Sequence, residues 1–581
     1  MGPFRGKREA RAGLLIALSL VFAACAPGAS PGQQGEKSSD GGEIRGAAGP
    51  QRTLVIIVRG EPPSLAARPL VPVAGLSVPI RIFNGTLDHM DEKEVTHPYL
   101  AETLPELNTA TWRVFPDGGM ETTYHLRPNL TWQDGAPLTA DDFVFAWRVY
   151  ATPELGLARS NPFRQIADVA APDPRTVRLR WREAYPFAGE MDQAFQAMPR
   201  HILEQPFAQM DSPAFVNLPF WTFEYVGLGP YRVDRWEAGA FLEATAFDGH
   251  ALGRPRIDRL RLTFIADPNT ALANMLTGEA HFVAEPLLGY EEGATLEREW
   301  AARGGGMVFF APVLFRMSEI QFRPELVTPK ALLDVRVRRA LAHAFDTPGA
   351  LEVFTGGRGV LTFTMTSPLA ADYPVVERVI TKREYDPRTA RQVLDEAGMV
   401  RGADSIYVSA AGEPLKVELW SSGGATFERE NRIFVDSLRQ AGIEAIPQTL
   451  VPVRMADTEF RAHRPGLFTT GAGSLDGRLG QYSISAIPGP HNRWQGNNRG
   501  GWENVEYERL WQAYNRTLDR SERVQQIAEM ERLINEDAAS IPHYFTVGVN
   551  AHTRHLEGPG IRMTPDAPRS IYHIQNWRWR E

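Results

Sequence analysis

The stretch richest in groups that recognise polar molecules is residues 491–502, HNRWQGNNRGGW. Arg493, Trp494, Asn497, Asn498, Arg499 and Trp502 stand there among three glycines. Aromatic plates, amide groups and guanidinium forks on glycine-rich backbone suit recognition of a polar ligand by stacking and hydrogen bonding. The same composition also suits a surface loop whose tryptophans cover a neighbouring helix, and both readings stay open here. Groups that would do catalysis are scarcer. Gly28-Ala29-Ser30-Pro31-Gly32 fits G-x-S-x-G, but no strand precedes it, and a nucleophile elbow needs a strand–turn–helix. There is no phosphate-binding G-x-x-x-x-G-K-[ST] and no H-E-x-x-H. The 13 histidines are scattered without metal-ligand spacing. Asp141-Asp142 open a helix, where the dipole accounts for them, and Glu291-Glu292 read as a solvated face. No catalytic residue, metal site or cofactor is predicted.

The elements that would position these groups have local signals. TLVIIV at 53–58 is a continuous apolar run and predicts a buried strand. Residues 122–126 alternate as a strand. A helix should start after Thr139, with Asp142 completing a capping box and Phe143, Val144, Trp147 and Val149 on its apolar face. Residues 257–265 alternate as a half-buried strand. Asp267-Pro268 then start a helix that Gly278 stops. Helical spacing recurs through Val337–Phe345, through Ala390–Ala397 and over 524–536. The clearest unit is strand 415–420, helix 426–441, Gly442 and strand 443–446, a βαβ crossover that implies a parallel sheet. Ligands of such sheets bind beyond the carboxyl ends of the strands. Here that is Trp420-Ser421-Ser422-Gly423-Gly424.

The amino terminus has the anatomy of an export signal. Arg5, Lys7, Arg8 and Arg11 precede an apolar or small run of 11 residues from Leu14 to Ala24. The run ends at Cys25, the single cysteine of the chain. Phe22-Ala23-Ala24-Cys25 resembles a bacterial lipobox, so Cys25 is the expected lipidated first residue of the mature protein. Residues 26–50 hold seven Gly, three Pro and three Ser and read as a flexible tether. One cysteine rules out a disulfide framework within the chain. With 62 basic against 70 acidic residues the net charge is −8, which argues against a nucleic-acid binder. At 43% hydrophobic over 581 residues, a sizeable core is expected.

Tyr124 to Trp147, YHLRPNLTWQDGAPLTADDFVFAW, resembles a signature of the family 5 extracellular solute-binding proteins, the receptors of peptide and nickel ABC importers. Leu126, Arg127, Trp132, Asp134, Gly135, Pro137, Thr139, Ala140 and Asp142 fill its pattern. Five further blocks stand in the family's order, namely PYLAE at 98–102, GLGPY at 227–231, TGEAH at 277–281, DVRVRRAL at 334–341 and Tyr385-Asp386-Pro387 to Ala397-Gly398. The resemblance spans about residues 53 to 556. It implies an α/β, two-lobed periplasmic-binding-protein-like fold with a hinge and an additional inserted domain. The implied order is signal peptide 1–24, lipid-anchored tether 25–52, lobe I from 53–85, 221–311 and 541–581, inserted domain 86–220 and lobe III 312–540.

The resemblance also carries expectations for the ligand. In the family's peptide receptors a carboxylate after a strand end holds the α-ammonium; the matching position is Ala472, with Asp476 as the substitute. The family's Leu-Asp-Pro is Leu65-Ala66-Ala67 here. By place, Asn161 and Phe163 in a loop of the inserted domain, Trp420 at the end of the βαβ strand, and Ser422 and Phe427 following it, match ligand-contacting positions. With Arg493, Trp494, Asn497 and Trp502 they complete the candidate set. The expected protein is an extracytoplasmic, monomeric lipoprotein that captures a peptide or other polar solute and delivers it to a permease and ATPase complex. Two alternatives stay open: a secreted cleft hydrolase, and a chemosensory or chaperone protein on the same fold.

Overall fold

The computed structural model describes residues 52–581 except 67, 69, 71–79, 452, 453, 455, 456 and 568–570. The expected signal, Cys25, the tether through residue 51 and Ala67 lie outside the described residues. Among the described residues no helix is long and apolar enough to cross a membrane.

The architecture is built on one large mixed sheet. Its strands run in the order Glu444–Leu450, Lys416–Ser422, Leu467–Ala472, Gly306–Ile320, Ser540–Thr553, Phe282–Leu288, Thr53–Val58, Arg259–Phe264, Phe241–Ala246 and Tyr231–Glu237. Two long antiparallel strands, Gly306–Ile320 and Ser540–Thr553, form the middle and join the flanks. Their register shifts between Pro312 and Phe315, where proline removes a ladder donor. On one flank Thr53–Val58 pairs in parallel with Arg259–Phe264 and Phe282–Leu288. On the other, Lys416–Ser422 pairs in parallel with Glu444–Leu450 and Leu467–Ala472. All these parallel strands point their carboxyl ends toward the middle strands' irregular region. Residues 86–220 carry a separate four-stranded sheet, Trp112–Val114, Met120–His125, Thr176–Trp181 and Ile166–Asp173.

The local signals produce the expected elements. Helix Ala140–Tyr150 starts from extended Thr139, whose N–H donates to Asp142 Oδ2 at 2.9 Å. Helix Pro268–Thr277 starts at Asp267, and Gly278 ends it in the left-handed region. The crossover helix is Ala425–Gln440. Its strand runs on through Ser422, so Trp420 and Ser422 are strand residues; only Gly423-Gly424 form the turn, with Gly424 at φ 124°. Helix Arg520–Asp537 is a turn longer than its apolar spacing suggested, because Asp519 caps it earlier.

Two of the family-like blocks are packing devices. Trp132 and Tyr124 are fully buried, each contributing on the order of 2–3 kcal/mol by transfer from water. Gln133, between them and the turn at Gly135, is nearly as deep. Its Oε1 accepts from Gly227 N (3.0 Å), and its Nε2 donates to Gly229 O (3.0 Å) and Tyr231 O (2.7 Å). Two blocks a hundred residues apart thus meet through one side chain. The glycines are required there: a Cβ on Gly229 would lie 2.3 Å from Phe83 C, and one on Gly227 would lie 2.0 Å from Phe83 O.

Candidate functional site

The carboxyl strand ends open onto a cavity of about 490 Å³. Arg59 lines it after strand Thr53–Val58, Tyr290 after Phe282–Leu288, and Phe427 after Lys416–Ser422. The middle strands contribute Arg316 and Tyr544. These form a buried cluster with Glu430 of the crossover helix. Arg316 Nε donates to Glu430 Oε1 at 3.2 Å and Nη2 to Oε2; Tyr544 donates to Oε1 at 2.5 Å. Phe427 lies under the guanidinium, 4.6 Å from its carbon. Burial, reinforced by Glu430, pushes the Tyr544 phenol well above its ordinary value, so it stays a donor. Arg316 and Glu430 satisfy each other. They fix the helix start to the middle strands and leave Phe427, half-buried, facing the cavity.

Phe315 and Phe545, the next residues along each middle strand, point to the opposite face. Arg478 packs over both rings and pairs with Asp566 at 2.8 Å. Asp566 lines a second cavity of about 510 Å³ together with Glu94, Glu190, Tyr514, Arg520 and Arg523. Burial raises the Glu94 carboxyl, to which Thr564 donates a hydrogen bond. Asp476 does not line this cavity but is bonded to a residue that does: Tyr514 Oη donates to it at 2.6 Å. That bond orients its carboxylate and leaves one oxygen for another partner.

The candidate residues do not converge on one place. The ladder pairs Phe315 with Ala472 at one end and Ile320 with Leu467 at the other. Ser422, Ala472 and Asp476 belong to the first end. Residues 491–502 belong to the second: Phe322 N–H donates to Gly500 O at 2.8 Å, and Trp494 packs on His463, 4.6 Å between centroids. Five residue steps, about 16 Å, separate the ends. The loop 491–502 therefore sits at the amino end of the parallel strand, away from the ends where such sheets take ligands. Within it, Arg493 is exposed and exposed Asn497 accepts from Arg499 at 2.6 Å. Trp502 is 2% exposed, and its indole N–H donates to Asp537 Oδ2 at 2.6 Å. It is core, edge-on to Tyr507, and presents no face for stacking. Phe163 is likewise core, 3% exposed and stacked on Tyr150 at 4.6 Å, with exposed Asn161 beside it. Trp420 is a half-buried strand residue whose N–H is held by Glu418 at 2.8 Å. Of the candidates, Phe427 reaches the first cavity, and Asp476 is tied to the second only through Tyr514.

Sequence reasoning missed Arg316, Glu430, Arg478 and Asp566. Arg316 carried a signal, as a lone charge within the apolar run around 307–317. Among the described residues no group of three His, Cys, Asp or Glu side chains is placed to hold a metal ion.

A family model described as "Bacterial extracellular solute-binding proteins, family 5 Middle" matches residues 102–476. The chain belongs to this family of solute-binding proteins. The oligopeptide-binding protein AppA of Bacillus subtilis (strain 168) is 23% identical over 577 residues, 97% of each chain. The glutathione-binding protein GsiB of Escherichia coli O1:K1 / APEC is 26% identical over 452 residues, 76% of this chain and 81% of that one. The crystal structure of NikZ from Campylobacter jejuni in complex with Ni(L-His) superposes with a TM-score of 0.70 at 19% identity, covering 91% of this chain and 99% of that one. The fold is the expected α/β fold of the periplasmic binding proteins. The family 5 protein is thus an extracytoplasmic solute-binding protein of ABC importers, and not an enzyme.

Proposed function

We propose that this protein is the lipid-anchored receptor of an ABC importer, enclosing a peptide or another polar solute between two lobes and handing it to the membrane permease. The observation that carries this reading is the convergence of parallel carboxyl strand ends from both flanks of the sheet on the cavity at Arg59, Tyr290 and Phe427. The flanks are joined by two middle strands with a register shift at Pro312–Phe315, which supports a hinge there between lobe I and lobe III. The inserted domain is residues 86–220, which carry their own sheet. AppA and GsiB, named for binding oligopeptides and glutathione, favour a peptide-like ligand. Ala472 in place of the family's carboxylate argues for a ligand that is uncharged or blocked at its amino end, such as a modified peptide or an oligosaccharide. A buried ammonium without a partner costs on the order of several kcal/mol.

The test is a calorimetric screen of free dipeptides, N-acetylated peptides and oligosaccharides. Saturable binding of one class, with a smaller radius of gyration in solution scattering at saturation, is expected. Saturation with an unchanged scattering profile contradicts closure. Anchoring is tested separately: Cys25→Ser should release the protein to the soluble fraction or leave the precursor uncleaved. A mature amino terminus elsewhere, without lipid, would refute it.

A further inference from the structure

Away from both cavities, three arginines gather around one buried glutamate at the amino end of strand Leu467–Ala472. Arg464 is 6% exposed and Glu319 7%. The Arg464 guanidinium lies 3.5 Å from the Phe468 ring centroid, and its Nε donates to Arg461 O at 2.8 Å. Arg464 Nη2 stands 3.9 Å from Glu319 Oε2, and Arg499 Nη1 stands 3.9 Å from Oε1. Both separations exceed hydrogen-bond reach. Burial draws Arg464 down to about 9, so it remains charged at neutral pH; burial also raises the Glu319 carboxyl. Arg461 is half-buried beside them.

Two features of this cluster call for an occupant. The first is an unmade bond: Arg464 Nη1 and Glu319 Oε2 are both buried without a hydrogen-bond partner. The second is charge. Arg464 and Arg499 against one carboxylate leave an excess of one positive charge at a largely buried site, and the Arg461 guanidinium adds its field to theirs. Buried uncompensated charge is strongly unfavourable. A cavity of about 10 Å³, lined by Arg461, Arg464, Arg499 and Glu319, is large enough for one particle the size of a water molecule. Water would make the missing bonds and leave the charge excess untouched. A small anion accepts from Arg464 Nη1 and offsets the charge excess.

We propose that this cavity holds one monovalent anion of halide size, held by Arg464, Arg461 and Arg499 and standing off the Glu319 carboxylate. The anion would tie two segments together. Arg461 and Arg464 precede the strand, and Arg499 belongs to the loop whose Gly500 is pressed so close that a Cβ would lie 2.1 Å from Ile320 O. The polar residues of 491–502 then have a use unconnected with the transported solute: Arg499 closes an ion site that locks the loop to the sheet.

The experiment has two arms. Crystals of the mature protein grown or soaked in bromide are examined for anomalous scattering. Thermal unfolding is followed in chloride-free methanesulfonate buffer while sodium chloride or bromide replaces methanesulfonate at constant ionic strength. We expect a bromide peak within about 3.5 Å of Arg464 Nη1 and a saturable rise in Tm that methanesulfonate does not give. Arg499→Gln should weaken the halide midpoint at least tenfold. Glu319→Gln, which removes the opposing charge, should tighten it several-fold, so the proposal does not depend on the folding of an Arg464 variant. No peak at saturating bromide, or a Tm that follows ionic strength alone, means that water fills the cavity and overturns the proposal. A halide response that neither variant moves places the ion elsewhere and overturns it equally.

Discussion

Arg478 and Asp566 form a 2.8 Å ion pair whose guanidinium is fully buried. Asp566 serves twice, since its other oxygen accepts from Leu475 N at 2.8 Å. It therefore holds the start of helix Leu475–Gly480, the element that follows strand Leu467–Ala472. If residues 312–540 and 541–581 belong to different lobes, as proposed, this pair bridges them on the face opposite the Arg316–Glu430 cluster. Removing one partner of a buried pair strands the other, at about 3–5 kcal/mol, whereas replacing both with apolar residues costs far less. Asp566→Asn should lower the urea midpoint markedly, and Arg478→Met with Asp566→Leu should recover most of the loss. Equal losses in the single and double variants would show that the pair is not what holds this helix.

Gln133 tests whether the family signature is structural. Gln133→Ala removes three hydrogen bonds and leaves Gly227 N, Gly229 O and Tyr231 O buried and unpaired. Each stranded group costs about 1–3 kcal/mol. The variant should unfold several degrees lower while the folded protein keeps its ligand affinity. A loss of affinity without a loss of stability would give Gln133 a role at the ligand that its position denies.

His250 makes a pH prediction. It is 5% exposed, its Nδ1 is bonded to Gly253 O at 2.8 Å, and Nε2 faces Tyr99 Oη at 2.6 Å. Burial brings it down to about 4 from an ordinary value of 6.5. Between those values the unfolded chain binds a proton that the folded chain does not. Stability from this group is therefore complete above pH 6.5 and is lost as the pH falls toward 4, by at most about 1.4 kcal/mol per unit. His250→Asn should be less acid-sensitive than the wild type across that window. Parallel stability–pH curves would contradict the assignment.

Ala472 and Asp476 divide the ligand question. Ala472→Asp supplies a carboxylate at the end where Phe315 pairs with residue 472, and should raise affinity for free dipeptides at least tenfold. Asp476→Asn should leave wild-type dipeptide binding weak and unchanged. Tight wild-type binding of free dipeptides, lost in Asp476→Asn, would instead make Asp476 the ammonium anchor beside Tyr514.

The parts legible in the sequence were those with short-range signals. Asp267-Pro268 and Gly278 bracket a helix within a dozen residues, and the crossover at 416–450 announces itself by a change of period. The two middle strands were not legible: Pro312 interrupts one, and their pairing joins segments more than 200 residues apart. For the same reason loop 491–502 could be recognised as polar and aromatic but not assigned to an end of the sheet. Trp502 shows the limit most plainly. Its loop left open both stacking on a ligand and covering a helix, while its partner Asp537 lies 35 positions away and draws it into the core. Arg478 and Asp566, 88 positions apart, carried no local signal.

That this protein holds a small solute is tested most directly by native mass spectrometry of protein purified from its own host. The expected result is a species heavier than the mature polypeptide by one non-covalent molecule, which denaturation releases as a peptide-like or other polar compound. A single unliganded mass that persists after exposure to a pool of host peptides and oligosaccharides would contradict it.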